Sequence, residues 1–437
     1  MSTTTLPLGG DPDFAALHAF NAQRYPFLLT STARADELGR YEILFAFPGR
    51  VIEAGGERDF LDQLDEAFLL ERADTLPGLP FTGGWFLYLG YELAAEIEPG
   101  LTFHKDPVLP AAFAVRCPAA LVRDLDTGTV VLALETGADI DFDALRNDLD
   151  NYPAAPPRGS QSRVAALDEE DPVRFLDAVR TAREHIAAGD IYQANLSREW
   201  RIRSDEHIDA VALFRALADA NPAPFAGIAH WRGKEIVSSS PERLLCVRDG
   251  YASTRPIAGT RPRSEDPDTD QALLEELIAH PKERAEHVML IDLERNDLGK
   301  ICAPGTVDVN EMMVIESYAH VHHIVSNVRG RVRDDVLPGD AIRAIFPGGT
   351  ITGCPKVRCM EIISELEDGP RGAYTGSFGY LNRDGSLDLN ILIRSIVVDG
   401  AVASFRAGAG IVADSAPEAE LAETRAKAEG LVRALSR

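Results

Sequence analysis

Short apolar blocks and two-residue alternation recur through residues 1–150, at Tyr41 to Phe47, Gly84 to Leu89 and Thr129 to Leu134. They predict strands with one or both faces covered. Phe60 to Glu71 instead spaces its apolar residues along one helical face, so residues 1–150 form a mixed α and β portion. From Asn151 to Arg163 the chain reads Asn-Tyr-Pro-Ala-Ala-Pro-Pro-Arg-Gly-Ser-Gln-Ser-Arg, which has turn residues and no apolar period. That stretch is a linker, and residues 164–437 are the second portion.

Beyond the linker, Asp171 opens a helical run that stops at Gly189. Strand-like pieces follow at Asn195 to Ile202, Phe225 to Ala229 and Leu244 to Val247. Two further helical tracts run from about Thr269 to Asn296 and from Ser415 nearly to the C-terminus. Between them lie strand candidates at His320 to Val328, Tyr374 to Leu381, Ile391 to Val398 and Ala401 to Ala407, separated by Gly or Asp-Gly turns. Strands clustered in this way, without βαβ alternation, indicate the α+β class.

Composition narrows the functional classes. The 437 residues carry a formal charge of −25, which repels phosphate backbones and anionic headgroups, so neither nucleic acid nor a membrane surface is an expected partner. An anionic substrate would need a local cation, a metal or converging Arg and Lys. Cys117, Cys246, Cys302, Cys354 and Cys359 are an odd set without a CxxC pair, read as reduced thiols of a cytoplasmic protein. Residues 1–13 have no basic and apolar leader pattern, and no apolar run reaches the roughly 18 residues that span a bilayer.

Candidate chemistry gathers on the two acidic helices. Glu283 and Glu286 are three apart and share a face, although such acids are most often a solvated surface. On the last helix, Ser415 and Glu418 have capping-box spacing, and Glu420, Glu423 and Lys427 fall on one narrow face. The Gly-rich apolar stretch Gly408 to Val412 before it suggests that this helix starts at a cleft. Four carboxylates facing one cleft would repel unless a divalent ion joined them, and oxygen-only ligation suits Mg²⁺. The tract Phe346 to Lys356 lacks the Lys and Ser/Thr of a phosphate loop, so it is no nucleotide site, though its glycines can bring backbone N–H groups near a carboxylate. Cys354 reads as a structural thiol, a lone strand histidine near His320, His322 and His323 as packing, and Glu242 after Pro241 as a turn residue.

Taken together the motifs resemble the chorismate-utilising enzymes: anthranilate synthase component I, aminodeoxychorismate synthase component I, isochorismate synthase and salicylate synthase. The resemblance runs from about Phe175 to the C-terminus. It is carried by Gly189 to Ser197, Ser240-Pro241-Glu242, Arg255 to Arg261, the Lys282 to Asp297 helix, Gly349-Thr350, Ile393-Arg394, Gly408-Ala409-Gly410 and the last helix. Tyr25 to Leu29 and Leu79 to Gly84 are similar to the N-terminal portion of the ammonia-using members. The resemblance implies antiparallel sheets packed as a sandwich with outer helices. It also implies that Glu286 and Glu423 ligate Mg²⁺ while Glu283 and Glu420 hold its waters. Tyr374, Arg394 and Lys427 would bind chorismate carboxylates, Glu242 would be the general acid and His323 would assist at the ring. Thr350, Gly259, Thr260, Ala409 and Gly410 would line the pocket, and Gln193 stands where water-using relatives carry a lysine.

An ammonia-using subunit is therefore expected, with a glutamine amidotransferase subunit as its partner in a heterodimer, because no segment resembles a glutaminase. The Val321-His322-His323, Thr375 to Tyr380 and Asp388 to Ile391 segments are similar to aminodeoxychorismate synthases, which make 4-amino-4-deoxychorismate for 4-aminobenzoate and folate. Ala258 stands where many of those enzymes carry a covalent lysine, so the route expected has no lysine adduct. Anthranilate synthase component I is the alternative, and a catalytically inactive regulatory relative the third reading. Ser31, Pro222 and Phe225 resemble the tryptophan pocket of relatives.

Overall fold

The computed structural model describes every residue except 1–2, 34–38, 75–77, 154–163, 265, 319–320 and 437, and leaves the side chains of Val164 and Lys282 undescribed. Most of the expected linker and His320 thus lie outside the described residues.

Two large antiparallel sheets dominate. The first runs from edge to edge through Thr3–Pro7, Val130–Glu135, Ala119–Asp124, Tyr41–Ala46, Phe27–Thr30, Phe225–Trp231, Lys234–Ser240, Ser395–Asp399, Val402–Ile411, Gln193–Ser204 and Gly353–Cys354, with Val164–Glu169 also paired to Gln193–Ser204. The second runs through Ile257–Pro262, Val321–Arg331, Tyr251–Arg255, Arg243–Arg248, Leu387–Asn390, Ser377–Asn382, Gly84–Leu89, Ala112–Cys117 and Val51–Glu53, with Asp308–Ser317 beside Val321–Arg331. Strands from before and after residues 151–163 thus share both sheets.

Strand alternation explains the layering. All of Gly84–Leu89 is buried, but its side chains divide between two cores, as a period of two requires. Phe86 and Tyr88 enter an aromatic core between the sheets, where Phe27 stacks on Phe86 with ring centroids 3.8 Å apart and Phe113 on Trp231 at 3.9 Å. Trp85, Leu87 and Leu89 face the opposite way, into a core shared with the helices Phe60–Glu71 and Pro338–Ile345. On the outer face of the first sheet, Leu28, Leu44 and Leu121 pack with the helices Phe14–Phe20, Ala210–Ala220 and Pro417–Leu435. The result is the α+β class expected from the strand pattern, in the sandwich with outer helices that the resemblance implies. No helix among the described residues is long and apolar enough to cross a membrane, and all five cysteines are free thiols.

Among the boundaries that differ from expectation, three have a clear local reason. The acidic tract expected over Thr269 to Asn296 is two helices, Pro267–Ala279 and Pro281–Gly299. Pro281 holds the preceding His280 at ψ 112°, outside the helical region. Ser415 does not cap the last helix: its hydroxyl accepts from Val412 N at 3.0 Å, and the helix begins at Pro417. The strand expected over Ile391 to Val398 is broken at Arg394, whose φ is +52°. The chain there leaves the second sheet at Asn390 and joins the first at Ser395.

A buried ion network braces the C-terminal half. Glu367, Arg371 and Arg406 are only 6, 5 and 7% exposed. Both oxygens of Glu367 are engaged: Arg371 donates at 2.7 and 3.0 Å, Arg406 at 3.0 Å and Ser197 N at 2.8 Å. Removing one member strands the others without a counter-charge. Glu367→Ala is expected to destabilise the fold by about 3–5 kcal/mol, seen as a lower urea midpoint at unchanged m-value; a loss under about 1 kcal/mol would contradict the network's role.

Candidate functional site

The chain crosses between the sheets twice at adjacent places. Lys234–Ser240 belongs to the first sheet and Arg243–Arg248 to the second, so Pro241 and Glu242 form one crossing. Residues 391–394 form the other. The two are stitched together: Ile391 N donates to Glu242 O at 3.0 Å, Ser239 N to Arg394 O at 3.1 Å, and the Ser240 hydroxyl to Ile391 O. Glu242 and Arg394 are thereby delivered to one place by backbone geometry.

Glu242 is 5% exposed and its Oε1 has no hydrogen-bond partner. Burial pushes its carboxyl up to about 7, with Glu294 adding to the rise and Thr350 and Lys427 opposing it. Such a carboxyl is substantially protonated near neutrality, which suits a general acid. The Thr350 hydroxyl, on the turn Gly349–Ile351, is likewise buried and unpartnered. The Arg394 guanidinium donates to Asn221 Oδ1 at 3.1 Å. His323 is 2% exposed, and burial together with the Arg394 and His322 charges lowers its imidazole to about 3, so it is neutral at pH 7. Its Nδ1 is 2.8 Å from the Thr260 hydroxyl across the paired strands.

Ala258, Gly259 and Thr260 form a bulge on that strand, with Gly259 at φ +26°. A Cβ on Gly259 would stand 2.8 Å from Leu277 Cδ1 and 3.0 Å from Glu283 Oε2, so glycine lets the acidic helix approach. From the first sheet, the Gln193 amide donates to Glu286 Oε1 at 3.0 Å, and a Cβ on Gly410 would lie 2.6 Å from that amide nitrogen. Beside Gly410, Ala409 is fully buried. Lys427 donates to Gly408 O at 3.1 Å and pairs with Glu423 at 2.7 Å. The Tyr374 hydroxyl reaches the same glycine, and burial pushes it up to about 12.

The four carboxylates do not form a closed cage. Among the described residues no group of three or more His, Cys, Asp or Glu side chains is arranged to hold a metal ion. Glu286 is engaged by Gln193, Glu423 by Lys427 and Glu283 by Arg261 at 3.3 Å, while Glu420 is 9% exposed. Glu286 lies near Gly410, and Glu423, through Lys427, near Gly408 on the same strand. That donor set fits an open site, in which Mg²⁺ keeps most of its waters and takes one or two carboxylates.

The chain matches the family described as chorismate binding enzyme over residues 25–433. It belongs to the chorismate-binding enzyme family. It is 42% identical over 362 residues to an anthranilate synthase component I-like protein of Synechocystis, covering 82% of this chain and 73% of that one. To the anthranilate synthase component 1 of the same organism it is 38% identical over 470 residues, covering 95 and 91%. Anthranilate synthase component I of Streptococcus pneumoniae superposes with a TM-score of 0.79 at 30% identity, covering 91% of this chain and 93% of that one.

In this chorismate-binding enzyme the tryptophan-pocket candidates also meet. Ser31 follows a strand paired with the one that begins at Phe225, and Thr32 N donates to Ala223 O at 2.9 Å beside Pro222. Two residues have a place in the site that the sequence reading did not give them. Asn221 Nδ2 donates to Ser239 O at 3.2 Å while its Oδ1 holds Arg394, so it braces both crossings. Glu294 is 4% exposed, beside Gly349, with its carboxyl pushed up to about 7 by burial and by Asp297. Its signal was available, since eleven residues of helix return to within about 20° of Glu283.

Glu294 lowers stability as pH rises, because a carboxyl raised from its unfolded value near 4.5 to about 7 binds its proton more tightly in the folded chain. That stability is fully present below the unfolded value and is lost as pH rises through about 7. Glu294→Gln is expected to shift Tm upward at pH 8 relative to its effect at pH 5, by a few degrees on the order of 1–2 kcal/mol. An equal shift at both pH values would remove the buried charge as the cause.

Proposed function

We propose that this chain is an ammonia-using synthase subunit that aminates chorismate. The observation that carries the reading is the buried, protonatable Glu242 fixed beside Arg394 and the neutral His323 at the sheet crossings. The ring hydroxyl of chorismate is a poor leaving group until protonated, and Glu242 supplies that proton at the 4-hydroxyl as ammonia adds at carbon 2. Arg394, Tyr374 and Lys427 hold the carboxylates that an acidic protein would otherwise repel. His323, uncharged and fixed through Thr260, assists at the ring without adding a competing charge. Glu286 and Glu423 would hold Mg²⁺, with Glu283 and Glu420 on its waters, and the ion would polarise the ring carboxylate as a Lewis acid. Gln193 cannot serve as a base for water, which favours an amine nucleophile. Ammonia comes from a glutamine amidotransferase subunit.

For the product, the names of the relatives favour anthranilate, formed when the aminated ring loses pyruvate. A second reading has its own support. The Val321-His322-His323, Thr375 to Tyr380 and Asp388 to Ile391 segments resemble aminodeoxychorismate synthases, and with alanine at position 258 the implied route has a second ammonia add at carbon 4 and expel the 2-amino group to leave 4-amino-4-deoxychorismate. Ala258 offers no nucleophile for a covalent route in either case.

Purified protein given chorismate, Mg²⁺ and ¹⁵N-ammonium separates the readings by mass spectrometry. Labelled anthranilate supports the first. A product that a 4-amino-4-deoxychorismate lyase turns into labelled 4-aminobenzoate supports the second, and unlabelled or unchanged chorismate contradicts both. Glu242→Gln is expected to lower kcat by about 10²–10⁴-fold with little change in KM. Glu286→Ala is expected to raise the Mg²⁺ concentration needed for half-maximal rate at least about tenfold; an unchanged Mg²⁺ requirement would take Glu286 out of the site.

A further inference from the structure

The strand Gln193–Ser204 presents Gln193, Asn195 and Ser197 on one face. The neighbouring strand answers with two glycines. A Cβ on Gly410 would meet the Gln193 amide, and one on Gly408 would lie 2.8 Å from Asn195 Oδ1 and 2.6 Å from the Tyr374 hydroxyl. The Gln193 amide nitrogen is spent on Glu286 while its Oε1 is buried without a partner, and the Ser197 hydroxyl donates to Glu367 and accepts from Arg406. Asn195 has no such carboxylate partner. Its backbone is fixed at both ends, N donating to Thr352 O at 2.9 Å and O accepting from Arg371 at 2.6 Å. Yet its Oδ1 is buried without a hydrogen-bond partner. A buried amide held in place by its backbone and left unsatisfied by its side chain marks a contact made by something else.

The surroundings say what that is. The Tyr374 hydroxyl and the Lys427 ammonium converge on Gly408. The Arg371 guanidinium sits on the Asn195 carbonyl and near the Tyr374 ring, and Arg406 bonds Ser197 two residues on. The Arg371 and Arg406 charges are already met by Glu367, so the Tyr374 hydroxyl and the Lys427 ammonium are the donors that suit a carboxylate here. A carboxamide turned about its last bond presents its NH₂ where Oδ1 stands, at no cost in shape. We propose that Asn195 is a further substrate-binding residue, whose amide donates to the substrate carboxylate that Tyr374 and Lys427 hold. The proposal rests on the chorismate reading of this same site.

Steady-state kinetics of the wild type, Asn195→Leu and Asn195→Asp, with chorismate varied and ammonium and Mg²⁺ saturating, test it. Asn195→Leu is expected to raise KM for chorismate about tenfold with kcat nearly kept. Asn195→Asp sets a negative charge against the carboxylate and is expected to raise KM about a hundredfold. A retained kcat shows that both variants fold. KM unchanged in both, or kcat lost at unchanged KM, would overturn the contact while leaving the chorismate reading intact. A wild type that turns over no chorismate would remove the reading and the contact together.

Discussion

The hydrogen bond from Ile391 N to the carbonyl of Glu242, at 3.0 Å, joins two stretches of chain that each pass between the sheets. Most of the site follows from it. Strands bring His323, Thr260 and Gln193 to the site from one of their two faces. The crossings add Glu242 and Arg394. Pro241 and Glu242 turn out of one sheet, and Ile391 to Arg394 turn into the other, so a carboxyl and a guanidinium reach the region between them on rigid backbone. The left-handed φ of Arg394 belongs to this turn, and Asn221 braces it from the side through Ser239.

Electrostatics then divides the site into two kinds of charge. Around Glu242 and Glu294 burial outweighs the nearby cations, and both carboxyls are pushed up to about 7. Around Glu367 the reverse holds: burial acts to raise it, but Arg371 and Arg406 keep its carboxyl below the usual range. One protein with a charge of −25 thus holds a carboxyl that can carry a proton near neutrality and, a few strands away, a permanently ionised one that fixes two guanidiniums. The proton-carrying carboxyl suits acid catalysis, and the ionised one supports the floor under Tyr374 and Asn195.

Much of this was legible in the sequence because it was written in local patterns. Gly84 to Leu89 is uniformly apolar and is buried on both faces; Asp171 and Gly189 bracket a helix as cap residues should. The site residues were named from ordered motifs, and the fold brings Glu242, Arg394, His323 and Thr260 together, with Gln193, Glu286 and Gly410 in contact across the sheet edge. What escaped was non-local. The break at Arg394 depends on which sheet each flanking strand joins, and no local apolar period encodes that. Glu294 reads as a surface acid until the Gly349 turn is packed against it, and Asn221 reads as a loop residue until both crossings are in place. The division at residues 151–163 is a feature of composition, whereas the pairing of strands into sheets crosses it freely.

The account turns on Glu242 carrying a proton near neutrality because the crossing buries it. ¹³C NMR of protein labelled at the glutamate carboxyl carbon, titrated from pH 4 to 9 and compared with Glu242→Gln to assign the resonance, measures this directly. A carboxyl that titrates near 7 and vanishes in the variant is the predicted result. A Glu242 resonance that titrates near the ordinary glutamate value of about 4.3 would contradict it.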